Sequence, residues 1–318
     1  MRHEPLHHLL AIERHELALD LARGCDRADF ATDSYGQFIW HLWGVLMKRP
    51  YVTAARLDAI ESGLSERDWQ IVDDIDRVRL ISGQQIQRLH YGTSSSDAAV
   101  CRRHLGRLVT KRVLVRFRHH VAEAVGPSWS VYALDVAGKR LIDPDRKRWW
   151  PTPQPGNPFI DHTLAITEVY VRLRSAERTG GFELVTFDSE PACWRSFHGP
   201  GGARVTLKPD AFVITESSGY EDHVLVEVDL GTETTSRIIA KAKTYSAYYR
   251  TGWEQHRSGV FPQVLWFVPD LARAGLLNTA LGRLPAEYRR LLQVRLLDDA
   301  VNAITDADAL AEAEGGRQ

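Results

Sequence analysis

The sequence predicts an α+β protein: a helical N-terminal region, then short helices ending in a hairpin, then a mixed sheet flanked by helices. Three observations carry this. Apolar residues recur at helical spacing as far as Leu108, then alternate from Val113 to Phe117. A proline-rich run follows. Beyond Asp161, stretches of helical and strand periodicity alternate. A chain of 318 residues has room for two domains of roughly 100–200 residues each. Its 44% hydrophobic content supplies a sizeable core.

Composition bounds the class. No apolar run approaches the roughly 18–20 residues of a membrane span. The opening MRHEPLHHLLAIERHELALDLARG is charged throughout and lacks the pattern of a secretory leader. The expectation is a cytoplasmic protein with no membrane partner. Cys25, Cys101 and Cys193 form no Cys-x-x-Cys pair, which argues against a zinc ribbon or redox motif. Net charge is −1, but its distribution is uneven. From Arg77 to His120 ten Lys/Arg face one acid, Asp97. A localised basic block is what a phosphate backbone meets.

Residues 1–64 read as helical, over His7–Arg23, Tyr35–Met47 and Ala54–Ile60, with Trp40 and Trp43 in a core. His3, His7, His8 and His15 lack an acid or cysteine to complete a metal set and read as solvated. Residues 65–143 follow the winged helix-turn-helix order. Ser65 caps a helix with Trp69, Val72, Ile75 and Leu80 on one face. Ser82 caps a second, with Ile86 and Leu89 inward. Ser94, Ser95 and Ser96 offer a cap for a third, carrying Ala98, Cys101, Leu105 and Leu108. Two strands follow, Val113 to Arg118 and Trp129–Leu134, around a turn at Gly126-Pro127; Gly138 opens a short closing segment.

The third helix is the expected recognition helix for double-stranded DNA. Arg102, Arg103, Arg107 and Lys111 lie off its apolar stripe, with Arg112 at its end. Arg116, Arg118, His119 and His120 extend the basic surface along the wing. The alternative is a winged helix used for protein contact, its arginines solvated.

Residues 144–160 read as a linker, because DPDRKRWWPTPQPGNPF holds five prolines and a glycine. Arg146, Lys147 and Arg148 precede Trp149 and Trp150; these tryptophans either stack unpaired bases or dock the linker on its neighbour. Residues 161–300 form the second domain and 301–318 an acidic tail. The expected order is a helix at Leu164–Glu177, strands at Phe182–Phe187, Val205–Thr215 (broken at Lys208-Pro209-Asp210) and His223–Leu230, a helix at Thr234–Arg250, a strand at Val264–Val268, a helix at Leu271–Leu281 and a strand at Val294–Leu297.

In VLVEVDLG, Glu227 and Asp229 point to one face because strand side chains alternate. Asp210 precedes them by one hairpin. Three carboxylates near one sheet edge repel, and a hard cation such as Mg²⁺ or Mn²⁺ relieves the repulsion. Such an ion can activate water and stabilise a phosphate under attack. On the bland reading Glu227 and Asp229 are strand-end acids and Asp210 a turn former after proline. Thr232, Thr234 and Thr235 read as caps. Tyr245, Tyr248 and Tyr249 read as core or rim aromatics, without the neighbours of a relaxase nucleophile.

Pro209-Asp210, a hairpin, then Glu227-Val228-Asp229 resembles the PD-(D/E)XK nuclease core. The resemblance implies that Asp210 and Glu227 hold metal, with Glu168 as the extra acid on the preceding helix. It also implies a lysine two residues after the glutamate, where this sequence has Asp229. Lys241 and Lys243 are the candidates to supply it from the next helix. The order of winged helix, PDAFVI and LVEVDLGTETTSR, with TKRVLVRF, resembles the replication-relaxation family of plasmid and mobile-element proteins over roughly Asp68 to Asp270. Two functions follow. One is a metal-dependent DNA endonuclease with Asp210, Glu227, Asp229, Lys241 and Lys243 in its site. The other is a non-cleaving accessory protein whose nuclease-like domain forms a homodimer or docks plasmid, transfer or transposition proteins. A transcription regulator with a small-molecule domain ranks third, since nothing in the second half resembles a ligand pocket.

Overall fold

The computed structural model describes residues 52–119, 129–145 and 152–305. The helices expected at His7–Arg23 and Tyr35–Met47, the four early histidines, Trp40 and Trp43, the wing turn, Arg146–Trp150 and the acidic tail beyond Thr305 lie outside the described residues. So do the side chains of Arg118 and His119. From Ala54 onward the described residues form one compact unit.

After α1 (Ala54–Glu61), three helices begin in the same way: α2 (Glu66–Val78), α3 (Gly83–His90) and α4 (Ser95–Thr110). Each starts on a serine, Ser65, Ser82 or Ser94, whose hydroxyl accepts the N–H three residues on. The Asp68, Gln85 or Asp97 side chain in turn accepts the serine N–H. This reciprocal box satisfies donors that the first turn leaves free. The buried face of α2 is Asp68, Ile71, Val72, Ile75 and Val78. Trp69 is only half-buried, and Leu80 lies past the helix end.

Strands β2 (Leu114–His119) and β3 (Trp129–Leu134) pair antiparallel. A third strand, β1 (Ile81–Ser82), joins β3 at Ile81 opposite Tyr132, giving the order β1-β3-β2. Two residues carry no readable alternation, so the sequence pattern is silent on β1. Helix α5 (Val136–Ile142) then crosses so close to β2 that a Cβ on Gly138 would stand 2.3 Å from the Val113 carbonyl oxygen. Only glycine fits there.

The expected linker is shorter than its proline content suggests, because α6 already begins at Asn157 and runs to Glu177. Pro158 falls in its first turn, where a missing N–H costs no hydrogen bond. The sheet that follows contains β4 (Glu183–Ser189), β7 (Ala211–Ser217), β8 (Tyr220–Val228), β9 (Gln263–Val268) and β10 (Leu292–Leu296), in the order β10-β9-β8-β7-β4. Neighbours β4, β7 and β8 are antiparallel; β8, β9 and β10 are parallel. The stretch expected as one strand, Val205–Thr215, is two strands in different sheets. The first, β6 (Arg204–Leu207), pairs with β5 (Arg195–His198), and the second is β7. Pro209 has no N–H for a ladder, so the chain leaves one sheet and enters the other there.

Helices α7 (Thr235–Tyr249) and α9 (Leu271–Leu281) cover one sheet face; α8 (Trp253–Ser258) and α10 (Ala286–Arg289) are short and were not legible. Leu225, Val264, Trp266 and Val268 pack there against Ile238, Ala242, Leu277 and Leu281. Helix α6 and α11 (Ala300–Thr305) pack on the other face. Helix α6 also touches the earlier helices and hairpin: Ile160 packs with Leu80, Val115, Phe117, Val131 and Ala133, and Thr167 donates to the Leu80 carbonyl at 2.7 Å. Among the described residues no helix is long and apolar enough to cross a membrane.

Candidate functional site

Asp210 and Glu227 meet at one end of the sheet. Asp210 N–H still bonds the Val226 carbonyl at 3.0 Å, so Asp210 extends the β7–β8 ladder by one residue. Its Oδ2 accepts the Val228 N–H at 2.7 Å, and its Oδ1 faces His162 Nε2 at 3.3 Å. Glu227 follows Val226, the last β8 residue paired with β7, and is buried. This is the end where the parallel strands β8 and β9 finish, the usual mouth of a site in such sheets.

Helix α7 completes the cluster. Lys241 and Tyr245 are one turn apart, on the face that also carries Ile238 and Ala242. Lys241 Nζ donates to Glu227 Oε2, and the Tyr245 hydroxyl donates to Glu227 Oε1 at 2.5 Å. Lys243 is two residues further, about 200° around the helix, and is exposed. Of the two candidate lysines, therefore, the structure brings only Lys241 to the carboxylates.

Electrostatics follow from this geometry. Burial opposes ionisation of Asp210, but the His162 hydrogen bond, Lys241 and the Val228 N–H outweigh it and hold the carboxyl below its ordinary value. Burial, with the charge on Asp210, pushes Glu227 up to about 8 against the pull of Lys241 and Tyr245. Burial disfavours the Lys241 charge, yet Glu227 and Asp210 more than compensate and raise it. The His162 pKa is raised, chiefly by its bond to Asp210.

Two expected members stand elsewhere. Asp229 does share the Glu227 face, but its Oδ2 accepts from Arg273 Nε at 2.9 Å and Nη2 at 2.5 Å. Its Oδ1 takes the Gly231 N–H at 2.8 Å. Arg273 also donates to the Glu233 carbonyl at 2.6 Å, so this pair fixes the loop between β8 and α7. Glu168 points towards the earlier helices and accepts from Arg88 at 2.9 Å, Arg172 at 2.9 Å and Gln85 at 3.2 Å. The α6 residue that reaches Asp210 is His162, nearly two turns earlier. Among the described residues no three His, Cys, Asp or Glu side chains form a metal-binding group. Sequence reasoning missed His162, Tyr245 and Arg273. The 3.6-residue period places Tyr245 beside Lys241 and was the one signal available; nothing local marks the other two.

The basic residues divide similarly. Arg102 and Arg103 on α4 and Arg116 on β2 are exposed. Arg107 is tied to the buried Asp68 at 2.6 Å, and Lys111 donates to the Gly63 carbonyl at 3.2 Å. Arg112 is buried and paired with Asp135 at 3.0 and 3.2 Å, which removes it from any external surface.

The model of the replication-relaxation family matches residues 72–264, from within α2 to the start of β9. The chain belongs to the replication-relaxation family. The match contains the exposed arginines of α4 and β2, and also His162, Asp210, Glu227, Lys241 and Tyr245. The Arg273 partner of Asp229 lies beyond it. No curated protein matches the chain. Among solved structures, the restriction endonuclease FokI bound to DNA aligns with 78% of this chain and 46% of that one, at 13% identity and a TM-score of 0.25. This replication-relaxation protein thus spans about half the length of that enzyme.

Proposed function

We propose that this protein hydrolyses DNA phosphodiesters with a divalent metal at Asp210 and Glu227. The observation that carries the reading is Lys241. It brings to Glu227, from α7, the ammonium that the nuclease pattern expects two residues further along β8. The topology supports it: a helix, three antiparallel strands, a helix and a parallel strand, with both acids at one sheet end. Two carboxylates are the hard oxygen donors that Mg²⁺ or Mn²⁺ takes alongside water and phosphate. The donor chemistry therefore fits. When bound, the ion supplies Lewis-acid charge and a more acidic water. Lys241 is placed to hold negative charge next to Glu227, and Tyr245 fixes the other Glu227 oxygen. His162, about a third exposed, caps the outer oxygen of Asp210.

The order α2, β1, α3, α4, β2, β3 supports reading residues 65–143 as a winged helix that positions duplex DNA. Its surface residues are Arg102, Arg103 and Arg116. Arg103→Ala is expected to weaken duplex binding and to lower the salt slope by about one for each phosphate it no longer neutralises. Arg112→Ala is expected to lower stability instead, since it takes a guanidinium away from the buried Asp135. Fluorescence anisotropy across salt, beside a urea melt, separates the two; equal binding loss in both variants contradicts this division.

The hydrolytic reading is tested with supercoiled plasmid and Mg²⁺ or Mn²⁺. Nicking is expected, abolished by chelator and by Asp210→Ala. If Asp210→Ala nicks like the wild type, the site is misassigned.

One observation favours a second reading, a non-cleaving DNA-binding accessory protein of plasmids or other mobile elements. Every carboxylate oxygen of Asp210 and Glu227 already has a donor from the protein: His162 and Val228 N–H, Tyr245 and Lys241. The nuclease-like part would then serve dimerisation or docking of transfer or transposition proteins. Chelator-sensitive nicking excludes that role.

A further inference from the structure

Trp253 is 61% exposed, a large apolar ring left in water at the start of α8. Its backbone is anchored there by its neighbours. The next residue, Glu254, is buried and accepts from Arg195 Nε at 2.7 Å and from the Tyr248 hydroxyl at 2.7 Å. Gly252 in the left-handed conformation (φ 68°) makes the turn from α7 into α8. With Glu254 pinned inward, the indole of Trp253 is left on the outer side.

The surroundings are basic. Arg257 and His256 are exposed, four and three residues on, and so share the Trp253 side of the helix. Arg250 is exposed just past the end of α7 and lies over the Tyr288 ring of α10 at 4.9 Å; Arg289 and Arg290, which follow Tyr288, are exposed as well. Tyr249 is 38% exposed, its ring edge-on to Phe261 at 5.1 Å. From Tyr248 to Pro269 the one acid is Glu254, and Arg195 neutralises it.

From this platform we infer that the α7–α8 corner binds single-stranded DNA: an unpaired base stacks on Trp253, and Arg257, His256 and Arg250 meet the adjacent phosphates. An indole face accepts any base, and guanidiniums beside it track the backbone. Positive charge with few acids nearby complements a phosphate backbone; a second copy of this chain is the other occupant, which a mass measurement detects. The corner lies about 12 Å along α7 from Lys241. The inference rests on reading the protein as DNA-acting, but not on hydrolysis.

The test is fluorescence anisotropy of labelled oligo-dT with the full chain, beside a labelled duplex. Wild type is expected to bind oligo-dT. Trp253→Ala and Trp253→Leu are expected to weaken that binding roughly five- to a hundred-fold, while Trp253→Phe, which keeps a ring face, retains most of it. Duplex binding should hold in all three. Arg257→Ala should lower the salt slope on oligo-dT by about 0.7 for each phosphate left without its cation. No oligo-dT binding by wild type, or Trp253→Leu matching wild type, overturns the inference. So does a change in mass by light scattering with Trp253→Ala while oligo-dT affinity is unchanged; that outcome makes the corner an interface between copies. Failure of Asp210→Ala to stop nicking, with oligo-dT binding still weakened in Trp253→Ala, rejects the hydrolytic reading and leaves this one standing.

Discussion

Replacing Lys241 by methionine is expected to lower metal-dependent nicking by about a hundred- to a thousand-fold, the effect of deleting one charge-stabilising donor from an enclosed site. Lys243→Met, a change on the opposite face of α7, is expected to leave it unchanged. The same lysine also affects stability. Glu227 is 1% exposed and Lys241 26%, so the variant leaves a buried acid without its countercharge. Breaking such a pair costs about 3–5 kcal/mol when the remaining group stays charged. Glu227 has an escape, which is to keep its proton.

The pH dependence therefore carries a sign. A carboxyl whose folded pKa is raised contributes stability fully present below its unfolded pKa and lost as pH rises through the folded value. In the wild type that value is about 8. Without Lys241 it rises further. The stability gap between Lys241→Met and wild type is expected to be small in mild acid and to widen as pH passes 8. Glu227→Gln added to Lys241→Met should close the gap without restoring nicking. Urea melts at several pH values, run beside plasmid assays, decide it. A gap that stays flat from acid to alkaline pH means that the Glu227–Lys241 pair does not set the stability, and a Lys241→Met protein that nicks at the wild-type rate removes Lys241 from the site.

The second large effect concerns Arg273. Arg273→Ala is expected to cost about 3–5 kcal/mol, because Asp229 is buried and Arg273 is the one cation paired with it among the described residues. For a chain of this size that is a fall in Tm of roughly 4–8 °C. Asp229→Asn combined with Arg273→Ala is expected to recover much of it, since no buried charge remains. Asp229→Lys, which restores the spacing of the nuclease pattern, is expected to destabilise as well, by setting a second cation against Arg273. Thermal melts of the three variants are the measurement. An Arg273→Ala protein that melts like the wild type means the clamp contributes nothing. If the clamp does hold the loop that leads into α7, its removal should also lower nicking, because that loop carries the helix of Lys241.

Local pattern made much of this protein legible. The serines that start α2, α3 and α4 act within four residues, so their sequence is their structure. The switch from helical to alternating apolar spacing after Lys111 marks β2 and β3 for the same reason. Strand alternation put Glu227 and Asp229 on one face, and one hairpin returned Asp210 to the same sheet end. The matched family order was visible in PDAFVI and LVEVDLGTETTSR.

What the tertiary structure decided is which charge meets which. Periodicity states the direction a side chain leaves its own element, not what waits there. Helical spacing alone does not choose between Lys241 and Lys243; the sheet beneath α7 does. Glu168 and His162 are both polar residues on α6, yet one faces Arg88 and the other Asp210. Arg112 reads as one more basic residue beside a recognition helix until Asp135, 23 positions later, closes on it. Asp229 reads as a third site acid until Arg273, 44 positions later, claims it. A buried charge must find its opposite, and the opposite can stand anywhere in the chain that the fold brings near.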